Sequence, residues 1–107
     1  VLVRVYELKA DTAFVNADFM SLYQGDSTTL AADIVYREEF MLQPGETRKL
    51  DRLLDDKSRF VAVVAAYRDI EKARWRAITP LAVGSSQQAK VTVDALAVSV
   101  DIAPDKR

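Results

Sequence analysis

The 107-residue chain has the length and composition of one globular domain, with 50% hydrophobic and 29% charged residues. Its formal net charge of −1 provides no overall field that would attract nucleic acid or an anionic membrane. The sequence contains neither cysteine nor histidine, which excludes disulfides, thiolate metal sites and the usual general base at neutral pH. Its longest apolar run is far shorter than the roughly 20 residues that a membrane-spanning helix needs.

The first eight residues, VLVRVYEL, predict a strand because alternate positions carry valine on one face. A helix is predicted over residues 11–23, with Asp11 as its N-cap. The apolar stripe of this helix would consist of Val15, Phe19, Leu22 and Tyr23. Gly25 is predicted to end it. A second short helix would follow, with Leu30, Ala31 and Ile34 facing inward.

From residue 35 onward the pattern changes to short strands separated by turn signals. Further strands are predicted over residues 36–43, 47–54, 60–67, 74–80, 90–94 and 97–102. The unbroken apolar run at 60–67 is typical of a strand buried on both faces. Seven strands with one helical insertion between the first two predict a mainly β fold, an antiparallel β-sandwich. The insertion would cover one face of strand 60–67.

Adjacent carboxylates at Glu38 and Glu39 are the first candidate for acid–base catalysis. On a strand, neighbouring side chains point to opposite faces, so we predict surface charge with one ion pair rather than a catalytic pair. A calcium site made of Asp51, Asp55 and Asp56 is not predicted, because their spacing does not match a calcium-binding loop.

Two further patterns, a group of hydroxyl residues and the glycines, do not form a nucleophilic site or a phosphate-binding loop. The hydroxyls of Ser27, Thr28 and Thr29 have no histidine or nearby lysine to activate them, so these residues are predicted to begin a helix. The isolated glycines, which are Gly25, Gly45 and Gly84, form no phosphate-binding loop. The sequence therefore predicts no enzyme, no cofactor and no metal.

A basic and aromatic segment follows the apolar run. It contains Tyr67, Arg68, Lys72, Arg74, Trp75 and Arg76. Basic residues interleaved with aromatics can bind single-stranded nucleic acid, but Asp69 and Glu71 interrupt the segment. The favoured interpretation is a solvent-exposed strand face carrying Arg74 and Arg76, with Trp75 pointing into the core. Docking of an acidic protein partner on this face is the alternative.

Four segments together resemble one protein family: VLVRVYELK, ADFMSLY, REEFMLQPGE and FVAVVAAYRDIEKARWRAITPL. The most specific pieces are Arg4-Val5-Tyr6 with Leu8, residues 40–46 with their Pro-Gly turn, and Tyr67-Arg68-Asp69 followed by Trp75-Arg76. The family is the outer-membrane lipoprotein of type VI secretion systems, called TssJ, SciN or VasD. The resemblance covers nearly the whole chain, in order and with matching spacing.

The resemblance implies a transthyretin-like β-sandwich without enzymatic activity. It also implies a lipid on an N-terminal cysteine and a location at the periplasmic face of the outer membrane. The implied partner is the periplasmic C-terminal region of TssM, within a complex that also contains TssL.

Residues 1–107 are expected to form one sandwich domain in which Val1 corresponds to the second strand of the family. The family's first strand, and the following loop that carries the main TssM contact, are then expected before Val1. No partner-binding residue is therefore assigned within the chain. The alternative function is a generic peptide- or carbohydrate-binding sandwich, for which Trp75 alone provides a candidate aromatic. A transthyretin-like hydrolase is excluded by the lack of histidine.

Overall fold

A computed structural model describes residues 1–50, 57–81 and 87–104. In these ranges the chain forms seven strands, two α-helices and a short 3-10 helix at Ala31–Asp33. The strands are β1 (Leu2–Leu8), β2 (Ile34–Met41), β3 (Thr47–Lys49), β4 (Phe60–Ala66), β5 (Arg76–Pro80), β6 (Gln87–Val93) and β7 (Val98–Pro104). The helices are α1 (Thr12–Asn16) and α2 (Phe19–Thr29). None of the helices described is long and apolar enough to cross a membrane.

The strands form two sheets, ordered β2-β1-β4-β5 and β3-β6-β7, and neighbouring strands in each sheet are antiparallel. Val5 of β1 lies opposite Glu38 of β2 on one side and Val63 of β4 on the other. A bridge between Arg74 and Ala97 connects the segments that precede β5 and β7. The predicted antiparallel sandwich, with a helical insertion between the first two strands, is confirmed.

Strand β4 lies between two hydrophobic clusters. Val61, Val63 and Ala65 face the cluster between the sheets, whereas Ala62 and Val64 face the cluster beneath the helices. Residues 61–65 are all buried, so the prediction of a strand covered on both faces is confirmed. Full burial of a valine contributes roughly 1.5–3 kcal/mol. The helical insertion is therefore needed to cover the second apolar face of β4.

The insertion begins differently from its prediction. The predicted helix over 11–23 is interrupted at Ala17, whose backbone is extended, with φ −83° and ψ 149°. Asp11 occupies the N-cap position of α1, but its side chain makes no capping hydrogen bond. Asp18 caps α2 instead, because its carboxylate accepts a 2.8 Å hydrogen bond from the Ser21 amide.

The end of the insertion follows its prediction more closely. Gly25 takes a non-helical conformation, with φ −138° and ψ 43°, and separates two helical segments within Phe19–Thr29. The prediction that Gly25 ends one helix and that a second short helix follows is therefore confirmed. Leu30 is buried and Ile34 packs against the cluster beneath the helices, as predicted, although Ile34 begins β2 rather than lying on a helix. Ala31 is exposed, so the prediction is wrong for this residue. The predicted stripe is wrong at Val15, which is 45% exposed, because the break between the helices changes their phase.

Several strands begin or end at residues other than those predicted. Only residues 47–49 of the predicted strand 47–54 are assigned to β3, and residues 51–56 lie outside the described ranges. Strand β5 begins at Arg76 rather than Arg74. Strand β6 begins at Gln87, three residues before its predicted start, and β7 continues to Pro104.

Candidate functional site

The adjacent carboxylates on β2 point to opposite faces of the sheet, as predicted. Glu38 accepts a 3.4 Å hydrogen bond from the Tyr36 hydroxyl. Glu39 instead accepts from Arg4 Nε at 2.7 Å and pairs with Arg37 at 3.1 Å. The two carboxylates therefore cannot act on one substrate, and Glu39 makes the ion pairs expected at this position.

Other candidate groups are spread over the molecule. The candidate calcium ligands Asp51, Asp55 and Asp56, and also Gly84, lie outside the described residues. No group of three or more acidic side chains in the ranges described could hold a metal ion. Gly45 takes a φ of +94° in the turn after β2, a conformation that glycine tolerates readily.

The three hydroxyl residues lie in the short helical segment that follows the kink at Gly25, so their prediction as the start of a second helix is confirmed. The Thr29 hydroxyl donates a 3.0 Å hydrogen bond to the Ser21 carbonyl across the kink at Gly25. A shallow open groove of about 380 Å3 adjoins this kink. It is lined by Met20, Ser21, Gln24, Gly25, Thr28 and Thr29.

The basic hairpin does not form one solvent-exposed face. Arg74 is exposed, but Arg76 is partly buried. Arg76 Nη1 donates to the carbonyl oxygens of Phe14 at 3.1 Å and Ala17 at 2.6 Å. Arg76 lies opposite Val64, which places it on the face that the helices cover. The predicted exposed face is therefore wrong for Arg76.

Arg4 is the centre of a polar network on the same face of the sheet, and its side chain is only 9% exposed. Besides its contacts with Glu39, its Nη1 lies 3.3 Å from Asp26 Oδ2. The same nitrogen donates to the carbonyls of Leu22 and Tyr23 at 3.3 and 3.0 Å. Arg4 therefore joins β1 both to α2 and to the neighbouring strand β2.

Three side chains of the sheet, those of Arg4, Tyr6 and Arg37, contact the Asp26 carboxylate. The Tyr6 hydroxyl donates to Asp26 Oδ2 at 2.8 Å, and Arg37 Nε lies 2.7 Å from the same oxygen. Burial alone would raise the pKa of Asp26, but the Tyr6 hydrogen bond and the charges of Arg37 and Arg4 together hold this pKa below its ordinary value. Burial raises the pKa of Tyr6 to about 12. At neutral pH the network therefore contains an ionised aspartate and a neutral tyrosine.

A row of stacked side chains joins this network to Arg76. The Arg4 guanidinium lies 5.1 Å from the centre of the Tyr23 ring, and Tyr23 stacks on Phe19 at 5.2 Å. Phe19 meets Trp75 edge-to-face at 5.2 Å, and Arg76 lies 4.7 Å from the Trp75 ring. Trp75 also packs against both hydrophobic clusters, so its predicted place at the core is confirmed.

Sequence reasoning missed Arg4, Tyr6 and Asp26 as interacting residues. The available signal was Arg4 itself, a charge between the valines of a mostly apolar strand. Every buried side-chain nitrogen or oxygen in the ranges described has a hydrogen-bond partner. Because its charges are neutralised within the network, this arrangement is suited to holding α2 on the sheet rather than to transferring protons.

The comparisons with known proteins identify the family. The model of the type VI secretion lipoprotein family (SciN; VasD, EvfM, TssJ, VC_A0113) matches residues 1–96. No curated protein matches the chain significantly.

Three solved structures show the same similarity. The T6SS lipoprotein TssJ1 from Pseudomonas aeruginosa is 38% identical with a TM-score of 0.85, and the match covers 98% of this chain and 80% of that one. A chain of a structure described as a type VI membrane complex is 31% identical with a TM-score of 0.70, covering 97% and 81%. A chain of a structure described as the T6SS protein TssM C-terminal domain from EAEC is 28% identical with a TM-score of 0.67, covering 96% and 82%. The chain therefore belongs to the type VI secretion lipoprotein family that includes TssJ, VasD and EvfM.

Proposed function

We propose that the protein is a non-catalytic lipoprotein of the type VI secretion membrane complex that binds the periplasmic C-terminal region of TssM. The observation that carries this proposal is family membership over residues 1–96, together with the close structural similarity to TssJ1. Chains similar to this one occur in structures described as a type VI membrane complex and as the TssM C-terminal domain, which supports TssM as the partner. In this proposal TssL belongs to the same complex.

The mechanism in this proposal is anchoring. A lipid attached before Val1 would hold the domain at the periplasmic face of the outer membrane, while the loop expected before Val1 contacts TssM. The paired charges around Arg4 support a structural role, because they join α2 to β1 and β2.

Co-purification tests the TssM interaction. The mature protein and a form beginning at Val1 are each mixed with the periplasmic C-terminal region of TssM, and circular dichroism checks that both forms are folded. We expect the mature protein to bind and the shorter form to bind much more weakly. Equal binding by both forms would place the contact within residues 1–107, and failure of the folded mature protein to bind would contradict the TssM proposal.

A separate observation tests the anchor. The encoded sequence upstream of Val1 is expected to contain a signal peptide that ends in a small residue followed by cysteine. The absence of that pattern would contradict lipid anchoring. The alternative of a carbohydrate-binding module is not favoured, because Trp75 is enclosed between Phe19 and Arg76 rather than presented on an open face.

A further inference from the structure

Both sulfur atoms of the chain lie at its surface. The sequence contains two methionines and no cysteine. Met20 of α2 is 51% exposed, and Met41 of β2 is 66% exposed. Methionine is one of the residue types most often found fully buried, so the exposure of both departs from the usual pattern. An oxidant in the surrounding solution can therefore reach both thioethers directly.

The core residues described, by contrast, carry no sulfur. The two hydrophobic clusters consist of aliphatic and aromatic side chains, and neither methionine belongs to them. Oxidation turns methionine from a flexible apolar side chain into a polar one, which disrupts packing where the residue is buried. Here the polar product forms outside both clusters, so the contacts between the sheets and beneath the helices are kept.

The surroundings of Met20 suit the oxidised side chain. Met20 lines the shallow groove beside the kink in α2, and the other lining residues include Ser21, Gln24 and Thr28. These three side chains are exposed and carry hydroxyl or amide donors. A sulfoxide oxygen is a hydrogen-bond acceptor. It can therefore accept a hydrogen bond from this polar lining or from water.

Met41 is placed differently, but its oxidation is equally compatible with the fold. It is the last residue of β2 and lies opposite Leu2 of β1. The pairing of the two strands uses backbone groups, which oxidation of a side-chain sulfur leaves unchanged. Because the Met41 side chain is mostly exposed, water can hydrate its sulfoxide oxygen.

We propose that Met20 and Met41 are sites of reversible oxidation by hydroperoxides, placed so that the sulfoxide forms without loss of the fold. In each reaction one peroxide oxygen is transferred to sulfur, so that the O–O bond breaks and an S–O bond forms. The sulfur is oxidised by two electrons. The hydroperoxide is reduced to an alcohol, or to water when the reagent is hydrogen peroxide. This property is independent of TssM binding and of the lipid anchor.

Treatment with hydrogen peroxide followed by peptide mass mapping tests both sites. We expect each methionine of the folded protein to gain one oxygen at a rate within about threefold of that for methionine in an unfolded peptide. Replacing both residues with leucine (M20L/M41L) should abolish this gain of mass under the same mild treatment. An equal gain of mass in the double variant would place the reaction elsewhere and overturn the proposal.

Leu22→Met provides the matched control for exposure. Leu22 lies on the same helix as Met20 but is fully buried, and methionine has nearly the same volume as leucine. The introduced thioether should oxidise at least about tenfold more slowly than Met20, because the reagent reaches it only when the structure opens locally. Equal rates at positions 20 and 22 in a variant that circular dichroism shows to be folded would contradict the proposal. If this variant does not fold, the comparison with the unfolded peptide still decides whether Met20 and Met41 are accessible.

The stability of the oxidised protein provides the last test. With both methionines oxidised, the urea midpoint should equal that of the untreated protein, as is usual for changes on exposed side chains. The two methionine sulfoxide reductases, one for each sulfoxide epimer, should then remove both oxygens. A lower urea midpoint would show that the sulfoxides disturb the fold, and failure of the reductases to restore the original mass would contradict reversibility. Either result would overturn the proposal and leave the co-purification test of TssM binding unaffected.

Discussion

At the scale of single residues, Arg4 is a largely buried charge that joins β1 to α2 and to β2. Replacing it with methionine keeps much of its volume but leaves Asp26, Glu39 and two carbonyls of α2 without its hydrogen bonds. Removing one member of a buried ion-pair network costs about 3–5 kcal/mol. We expect Arg4→Met to lower the free energy of unfolding by about 3 kcal/mol in urea denaturation.

Arg37 provides the matched control for Arg4. It contacts the same two carboxylates, but 45% of its side chain is exposed. Exposed ion pairs contribute at most about 1 kcal/mol. Arg37→Met should therefore cost about 1 kcal/mol or less. Equal losses for the two variants would show that the burial of Arg4 does not decide its contribution.

Tyr6 makes stability depend on pH at the alkaline end. Burial raises its pKa from an ordinary 10.0 to about 12, since its hydroxyl is enclosed and donates to Asp26. A raised tyrosine pKa adds stability that is fully present below pH 10 and is lost as the pH rises through 12, a loss of roughly 2–3 kcal/mol.

The substitution Tyr6→Phe isolates this contribution. The free energy of unfolding is measured in urea between pH 9 and pH 12 for both proteins. The variant loses the hydrogen bond to Asp26 and should be less stable at pH 9, but its stability should fall less steeply above pH 10. Identical slopes for the two proteins would mean that Tyr6 ionises in the folded state as easily as in the unfolded chain.

At the scale of elements, α1 depends on an arginine from β5. This helix has only five residues and no side-chain cap at Asp11, so it has little stability of its own. Arg76 donates to the carbonyls of Phe14 and Ala17 at its C-terminal end. Hydrogen bonds from charged groups contribute about 1.5–3 kcal/mol.

Hydrogen exchange measures this dependence locally. Arg76→Ala is expected to increase exchange in α1 at least tenfold, whereas amides of β4 should change much less. Arg74→Ala is the matched control, because Arg74 is exposed and lies two residues earlier in the same hairpin. Uniformly faster exchange through α1 and β4 in Arg76→Ala would indicate a global loss of stability instead of a local one.

The strands of this fold could be predicted better than its helices and its polar contacts. Alternation and the apolar run at 60–67 depend only on neighbouring residues, so β1 and β4 were predicted closely. The break at Ala17 was missed because the apolar spacing continues through it. The role of Arg76 was missed because it requires knowing that helices cover its face of the sheet.

The Arg4 network was also beyond prediction, for a related reason. Arg4 meets Asp26 across 22 positions of sequence and Glu39 across 35. A single sequence shows that a charge interrupts an apolar strand, but it does not show which acidic residues will approach it. The resemblance to a family predicted the fold and the cellular location, but it did not predict these contacts.

At the scale of the whole molecule, the two central strands of the four-stranded sheet, β1 and β4, each contribute residues to both hydrophobic clusters. Val63 faces the cluster between the sheets, and Val64 faces the cluster beneath the helices. Truncating either valine to alanine removes two buried methyl groups and should cost about 2 kcal/mol. Adjacent residues of one strand pack into the two clusters. We therefore expect each substitution to lower the stability of the whole domain, which should still unfold in a single cooperative transition.

Trp75 allows that cooperativity to be measured, since it packs against both clusters and is the only tryptophan in the chain. Its fluorescence and the far-ultraviolet circular dichroism should give the same urea midpoint in the original protein, in Val63→Ala and in Val64→Ala. Leu96→Ala is the control, because its side chain is 46% exposed and should leave the midpoint nearly unchanged. If Val64→Ala instead separated the two signals, the helices would detach before the sandwich unfolds, and the two clusters would not unfold as one cooperative unit.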